Sequence, residues 1–119
     1  MTTWRRKISE YEADLHRVEM TWLEKLFGSA KGGEIEIEQF DDGEMRMELD
    51  LYRLKCPDGA RVAVLIDGRL VQQVETRRGY VRLRLTSVEG AQIPQVQSGS
   101  TAEIQYQGEV LMKGSFRLD

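Results

Sequence analysis

The sequence has almost none of the residues from which disulfides, zinc sites and catalytic pairs are built. Among its 119 residues, Cys56 is the only cysteine and His16 is the only histidine. One cysteine cannot form an intramolecular disulfide or a cysteine-rich zinc site. One histidine excludes zinc sites with two histidines and mechanisms that need a histidine pair. We therefore expect neither a metal nor a cofactor.

Long apolar runs and an excess of positive charge are also missing. No apolar run is long enough to span a bilayer, and an acidic amphipathic segment, not a signal-peptide core, follows the basic N-terminus. The formal net charge is −3, with 31% charged and 40% hydrophobic residues. This composition is typical of a soluble globular protein, and it predicts no general affinity for nucleic acid or anionic membranes. The expected location is cytoplasmic.

Residues 3–27 carry a pattern that predicts an amphipathic α-helix. Apolar residues recur at alternating intervals of four and three, close to a heptad, and form a single stripe. Gly28 would end this helix. The stripe consists of Trp4, Ile8, Tyr11, Leu15, Val18 and Trp22. It would either dock on the same chain or join copies of the chain, and the heptad-like spacing favours association, a dimer first.

The pattern divides the chain into three parts. Residues 1–28 form the predicted helix, residues 29–33 read as a short Gly-containing linker, and residues 34–119 alternate with the period of β-strands. A linker of this kind would free the helix to meet a partner chain.

The first predicted hairpin has a defined register. If Asp41-Asp42-Gly43 is a three-residue loop, Ile37 pairs with Met47, Ile35 with Leu49, and Glu38 faces Arg46. The same reading explains the acidic loop without calcium, because the loop lacks the alternating oxygen ligands of a calcium-binding loop.

Residues 60–86 predict three antiparallel strands. Asp67-Gly68 suits a two-residue type I′ turn, and Arg77-Arg78-Gly79 suits a three-residue loop. One face of this unit is then buried, and a small apolar patch lies on the other face, where we expect the helix to cover it. The buried face comprises Val62, Val64, Ile66, Val71, Val81, Leu83 and Leu85, and the outer patch comprises Ala63, Leu65, Leu70 and Val74.

The rest of the chain completes an all-β pattern. Residues 87–100 are irregular, with Ile93 and Val96 expected to attach this segment to the core, and two strands follow around a Gln107-Gly108 turn whose register stays open. About seven short strands at this spacing predict an antiparallel immunoglobulin-like β-sandwich behind the N-terminal helix, with a small β-barrel as the alternative.

Two functions compete. The first is a non-catalytic interaction or structural module that self-associates, or binds a protein partner, through the helical stripe. The second is a small ligand-binding sandwich that recognises an anionic sugar or polymer through Arg77, Arg78, Arg82 and Arg84. These arginines equally suit a solvated strand face balanced by Glu36, Glu48, Glu75 and Asp50. An enzyme is not expected, because no phosphate loop, nucleophile elbow or acid–base pair is recognisable.

Overall fold

A computed structural model describes residues 5–18 and 31–119. Within these ranges the chain forms eight β-strands and one short 3₁₀ turn, Ser87–Glu89. The strands are β1 Lys7–Arg17, β2 Lys31–Phe40, β3 Met45–Leu51, β4 Arg61–Ile66, β5 Arg69–Glu75, β6 Val81–Thr86, β7 Thr101–Tyr106 and β8 Glu109–Leu118. The described residues contain no α-helix.

All eight strands belong to one antiparallel sheet, in the order β5-β4-β7-β8-β1-β2-β3-β6. This sheet is curled into a nearly closed barrel-like shape, with the core on its inner face. The expected two-layer sandwich is not found, because β1 pairs with β8 on one side and β2 on the other and so makes the sheet continuous. Side chains buried inside include Leu15, Ile35, Leu49, Val64, Ile104 and Met112.

The predicted α-helix is wrong over Lys7–Arg17, which is strand β1. The strand turns Tyr11, Ala13 and Leu15 toward the core, and acidic residues alternate with them. Ala13, which is not part of the helical stripe, is 0% exposed, whereas Ile8 and Val18 from the stripe are 56% and 41% exposed. The period of two therefore describes the burial of this segment, and the heptad-like period does not.

Residues 3–4 and 19–27 of the predicted helix lie outside the described residues, and Trp4 and Trp22 are among them. The predicted linker, residues 29–33, is wrong over residues 31–33, because these are the first three residues of strand β2. Gly33 is needed there for close approach, since a Cβ atom at this position would collide with the backbone carbonyl oxygen of Asp50. Gly32 and Gly33 therefore lie within a strand and not in a flexible linker.

Several local predictions are confirmed. Strands β2 and β3 pair in the expected register, with Ile35 opposite Leu49, Ile37 opposite Met47 and Glu38 opposite Arg46. Asp67 and Gly68 both have positive φ, at 50° and 78°, as a type I′ turn requires. Ile93 and Val96 pack against the core and so attach the long irregular segment to the barrel.

A β-bulge changes the predicted face of strand β5. Leu70 pairs with Leu65, but the next pair is Gln72 with Val64, so that Val71 is an extra residue. Val74 therefore faces inward opposite Val62 and is 8% exposed, although its predicted place was in the outer patch. No helix in the described residues covers that patch.

A β-bulge also explains the register of the last hairpin, which the sequence pattern leaves undecided. Gln107 and Gly108 form a two-residue turn with φ of 51° and 79°, and the strands then shift by one residue between Ile104 and Gln105. Leu111 is the extra residue in β8. A two-residue turn followed by a bulge gives the odd-length spacing that the apolar pattern shows.

Candidate functional site: the open seam between β5 and β6

Strands β5 and β6 end the strand order, and within residues 5–18 and 31–119 each has one neighbouring strand. The predicted three-stranded unit is therefore wrong, because β5 and β6 do not pair along their length. Among the described residues, one hydrogen-bonded bridge joins their ends, with Arg77 and Tyr80 exchanging N–H···O bonds of 3.0 and 2.9 Å. Arg78 and Gly79 form a two-residue turn, with φ of 53° and 77°, where a three-residue loop was expected. We call the gap between β5 and β6 the seam.

Contacts outside the seam hold both of its edges in place. The β5–β6 turn is fixed by two hydrogen bonds, from the Leu54 N–H to the Gly79 carbonyl at 3.0 Å and from the Arg78 N–H to Asp58 Oδ1 at 2.7 Å. At the other end of β6, the Thr86 hydroxyl donates to Glu44 at 2.8 Å. Strand β6 is thus anchored at both ends and along β3, and its free edge is presented by a fixed framework.

Apolar side chains form the floor of the seam. Val81, Leu83 and Leu85 point inward from β6, and Val71 and Val74 do so from β5; Leu83, Leu85 and Val71 are only half-buried. A groove of about 1010 Å³ lies at the turn end, bordered by Val74, Val81, Leu83 and Tyr80. A second groove of about 790 Å³ lies at the other end, bordered by Leu70, Val71, Ile93 and Pro94. Apolar side chains are thus partly exposed between the two strand edges.

Arginines occupy the outer face of β6. Arg82 pairs with Asp50 at 3.3 Å and Arg84 with Glu48 at 3.2 Å, both across the β3–β6 ladder. Their side chains remain 78% and 73% exposed. A guanidinium carries five N–H donors, so each arginine has donors left for a second carboxylate on the seam side.

The four arginines of the predicted anion site lie at separate places along the seam. Arg77 and Arg82 border the same groove, while Arg78 sits in the turn and Arg84 lies further along β6. Because Arg82 and Arg84 already face acidic residues of β3, the four side chains do not converge on one point. Anion binding by this set stays a prediction.

The predicted interaction stripe is not one surface. Leu15 is fully buried and cannot contact a partner in the folded chain, whereas Tyr11 is half-buried and packs against the barrel core. Ile8 and Val18 are exposed near opposite ends of β1. Over its described residues the stripe therefore does not form one continuous surface, and association through it stays a prediction.

The structure also contains a ladder of carboxylates on β1 and β2 that the sequence analysis does not predict. On the outer face, Glu10 lies opposite Glu38, Glu12 opposite Glu36, and Asp14 opposite Glu34. The alternation of acidic residues with Tyr11, Ala13 and Leu15 is the signal that would have revealed both the strand and this ladder. We call these six residues the acidic ladder.

Burial, together with Glu34 and Asp119 nearby, raises the pKa of Glu12 to about 7. Burial also raises the pKa of Glu36, whereas the hydrogen bond from Lys31 lowers the pKa of Asp14. Carboxylate oxygens of Glu12, Asp14 and Glu34 lie within 4.8 Å of one another, a spacing that a divalent cation could bridge and that also occurs without one.

The remaining titratable candidates have structural surroundings. Cys56 Sγ lies 3.7 Å from the Thr76 hydroxyl, which in turn bonds to the Pro57 carbonyl. His16 is exposed on β1 and faces Lys31 and Lys113 across its two ladders. Neither group meets a partner that would activate it for acid–base or nucleophilic chemistry in the described part of the chain.

The fold defines a mainly-β protein whose eight antiparallel strands make one nearly closed barrel-like sheet. No protein-family model, curated protein or solved structure matches the chain. In the described ranges there is no helix long and apolar enough to cross a membrane.

Proposed function

We propose that this protein is a non-catalytic interaction module, and that its binding site is the seam, where a strand of a partner chain is added. The observation behind the proposal is the pair of edges on β5 and β6 with which no other described strand pairs, with half-buried apolar side chains between them. An unpaired strand edge offers a row of backbone N–H and C=O groups to an incoming strand. Apolar pockets beside that edge then select alternate side chains of the partner.

The proposed class of function is the one expected from the sequence, but the proposed binding surface is the seam and not the helical stripe. Binding through the predicted helix requires Tyr11 and Leu15 on one exposed face, but Leu15 is buried in the core and Tyr11 is half-buried against it. The seam can serve either a second copy of the chain or a different protein, so self-association and binding of another protein remain the two forms of the proposal.

The competing function is recognition of an anionic sugar or polymer by the arginines along the seam. Its support is the groove shared by Arg77 and Arg82. The ion pairs of Arg82 and Arg84 with β3 weigh against it, because a polyanion would have to displace Asp50 and Glu48 or add to them. A sulfated polysaccharide that raises the melting temperature of the parent chain, but not of Arg77→Ala/Arg82→Ala, would support this function.

Peptide display tests the proposal of strand addition. The full chain is used to select peptides from a random library, and the selected peptides are measured by fluorescence anisotropy. We expect a Leu83→Asp variant to lose about tenfold or more in affinity, because a charge then occupies the apolar floor. Leu118→Asp is the matched control, since Leu118 is 61% exposed on β8.

Backbone pairing is tested on the same peptides. N-methylation of alternate residues removes the donors of one strand edge while keeping every side chain, so we expect it to abolish binding. Selected peptides that bind Leu83→Asp as tightly as the parent, or that tolerate N-methylation, would refute strand addition at the seam. The mass of the free chain from light scattering, measured over a concentration series, shows whether a second copy serves as the partner.

A further inference from the structure

We infer that the partner strand pairs with β6 and not with β5, and that it alternates apolar with acidic residues. This inference rests on the proposed function and specifies the chemistry of the partner. It comes from the different construction of the two edges and from the charges on the outer face of β6.

Strand β5 is built to resist pairing. The extra residue Val71 interrupts its ladder with β4, and Gln72, opposite the inward-facing Val64, places a half-buried polar side chain on the core side. Bulges and inward-pointing polar residues are features by which edge strands avoid further pairing. Strand β6 has neither, because its six residues run in unbroken register against β3.

The two faces of β6 set the pattern of the partner. A strand added to β6 continues the pleat, so its side chains point alternately into the barrel and outward. Inward residues would meet Leu83 and Leu85, which are half-buried and have no strand paired on the seam side within the described part of the chain. Outward residues would lie opposite Arg82 and Arg84. Apolar residues therefore fit the first set of positions.

The charges on β6 determine which residue types fit the outward positions of the partner strand. Arg82 and Arg84 are each paired on the β3 side and largely exposed otherwise. Cross-strand pairs of opposite charge stabilise a sheet and like charges destabilise it, and a guanidinium can hold carboxylates on two sides. Acidic residues are thus favoured opposite these arginines, and basic residues are excluded.

The same rule makes a second copy of β6 an unfavourable partner. In an antiparallel pair centred on Leu83, Arg82 faces the second copy's Arg84, and in a pair centred on Arg84 this residue faces itself. A second copy that offers β5 would bring the Val71 bulge with it. The occupant to which the seam is complementary is therefore an extended acidic and apolar segment of another protein.

Two synthetic peptides of equal length test this inference by fluorescence anisotropy. One alternates valine with glutamate and the other alternates valine with lysine. We expect the full chain to bind the glutamate peptide about tenfold more tightly at low salt, with the difference shrinking as salt is added. In Arg82→Glu/Arg84→Glu the preference should reverse, while the matched variant Arg6→Glu/Lys113→Glu, which changes two exposed cations away from β6, should keep it.

Amide hydrogen exchange with the glutamate peptide bound identifies the edge. We expect slower exchange in β6 and unchanged exchange on the free edge of β5. Protection of β5 in place of β6, equal binding of both peptides, or binding of neither would overturn the inference. If both peptides bind equally and Leu83→Asp abolishes the binding of both, strand addition at the seam remains supported and only the inferred charge preference is refuted. If the display selection yields no binding peptide, the proposed function itself is refuted.

Discussion

At the scale of a single residue, the packing of β2 against β3 depends on the missing side chain of Gly33. A Cβ atom there would collide with the Asp50 carbonyl oxygen and approach the Leu51 backbone, neither of which can move without shifting β3. We expect Gly33→Ala to destabilise the fold by about 1–3 kcal/mol, as overpacking typically does. Urea denaturation followed by circular dichroism measures this change.

The matched control for Gly33 is its neighbour. At Gly32 the nearest obstacle to a Cβ atom is the end of the Met112 side chain, which is flexible. Gly32→Ala should therefore cost clearly less than Gly33→Ala. Equal losses for the two variants would mean that close backbone approach is not the reason for glycine at this place in β2.

Glu44 is the residue on which the end of the β2–β3 hairpin depends. It is buried, its carboxylate accepts hydrogen bonds from the Thr86 hydroxyl and Arg46 Nε, and it pairs with Arg5. The guanidinium groups of Arg5 and Arg46 also lie over the Phe40 ring, at 4.4 and 5.0 Å from its centre.

Removing this carboxylate should be costly. We expect Glu44→Ala to lower the free energy of unfolding by about 1–3 kcal/mol, because the Thr86 hydroxyl and the two guanidinium groups lose the carboxylate that they bond. Glu48→Ala provides the comparison, since the partly exposed pair of Glu48 with Arg84 should contribute at most about 1 kcal/mol. The same urea titration decides between them, and a Glu44 variant no weaker than the Glu48 variant would contradict this account.

At the scale of an element, local signals predict hairpins better than they predict neighbours. The β2–β3 register follows from a loop length and an alternating pattern that both lie within a short stretch, and it is observed as expected. The helix predicted over strand β1 is wrong because the apolar residues of this segment also fit a helical stripe. What decides its state is pairing with β8, from the opposite end of the chain, where Ala13 lies opposite Phe116.

The seam was hidden from the sequence for a similar reason. The turn at Arg78-Gly79 predicts a hairpin, and nothing in the turn indicates that its strands separate after one bridge. The faces of β6 were nevertheless predictable, since Arg82 and Arg84 are exposed as expected and Val81 is buried. Alternation gives the face of a strand, but its partner depends on the closure of the whole sheet.

The bulge in β5 should protect the free edge of that strand. Deleting Val71 removes the extra residue while leaving the pairs Gln72 with Val64 and Val74 with Val62 available. A straight β5 then offers a regular edge, so we expect this deletion to increase self-association. Light-scattering mass at increasing concentration measures the effect.

Deletion of Leu111 is the control for this experiment. It removes the corresponding bulge residue from β8, which already has a neighbour on each side. This deletion should lower the melting temperature without creating a new edge. If the Val71 deletion folds and keeps the mass of the parent chain, the bulge does not act as edge protection.

At the scale of the whole molecule, the net charge of −3 conceals an uneven distribution. The acidic ladder sets three carboxylate pairs side by side on β1 and β2, while arginines lie on β6 and at Arg117 of β8. Like charges directly opposite each other destabilise a sheet. The fold tolerates the ladder partly by ion pairs at its ends, such as Lys31 with Asp14 and Lys7 with Glu38.

The ladder predicts how the stability of the barrel depends on pH. The pKa of Glu12 rises from 4.5 to about 7, so the folded chain holds this proton more tightly than the unfolded chain does. Its contribution is fully present below about pH 4.5 and is lost as the pH rises through about 7. The lowered pKa of Asp14 acts oppositely, with stability that is present above its usual value of 3.8 and lost on acidification.

We therefore expect the melting temperature to be highest between about pH 4 and pH 4.5 and to fall as the pH rises through about 7 toward pH 8. Glu12→Gln should flatten this fall and stabilise the barrel at about pH 8, by an amount on the order of 1–3 kcal/mol. Glu109→Gln, which neutralises an exposed carboxylate at the start of β8, separates a local effect from the change in net charge. Thermal denaturation of the three proteins across this pH range is the measurement. A parent chain equally stable at the two ends of the range, or equal gains from both variants, would show that the ladder does not control the pH dependence.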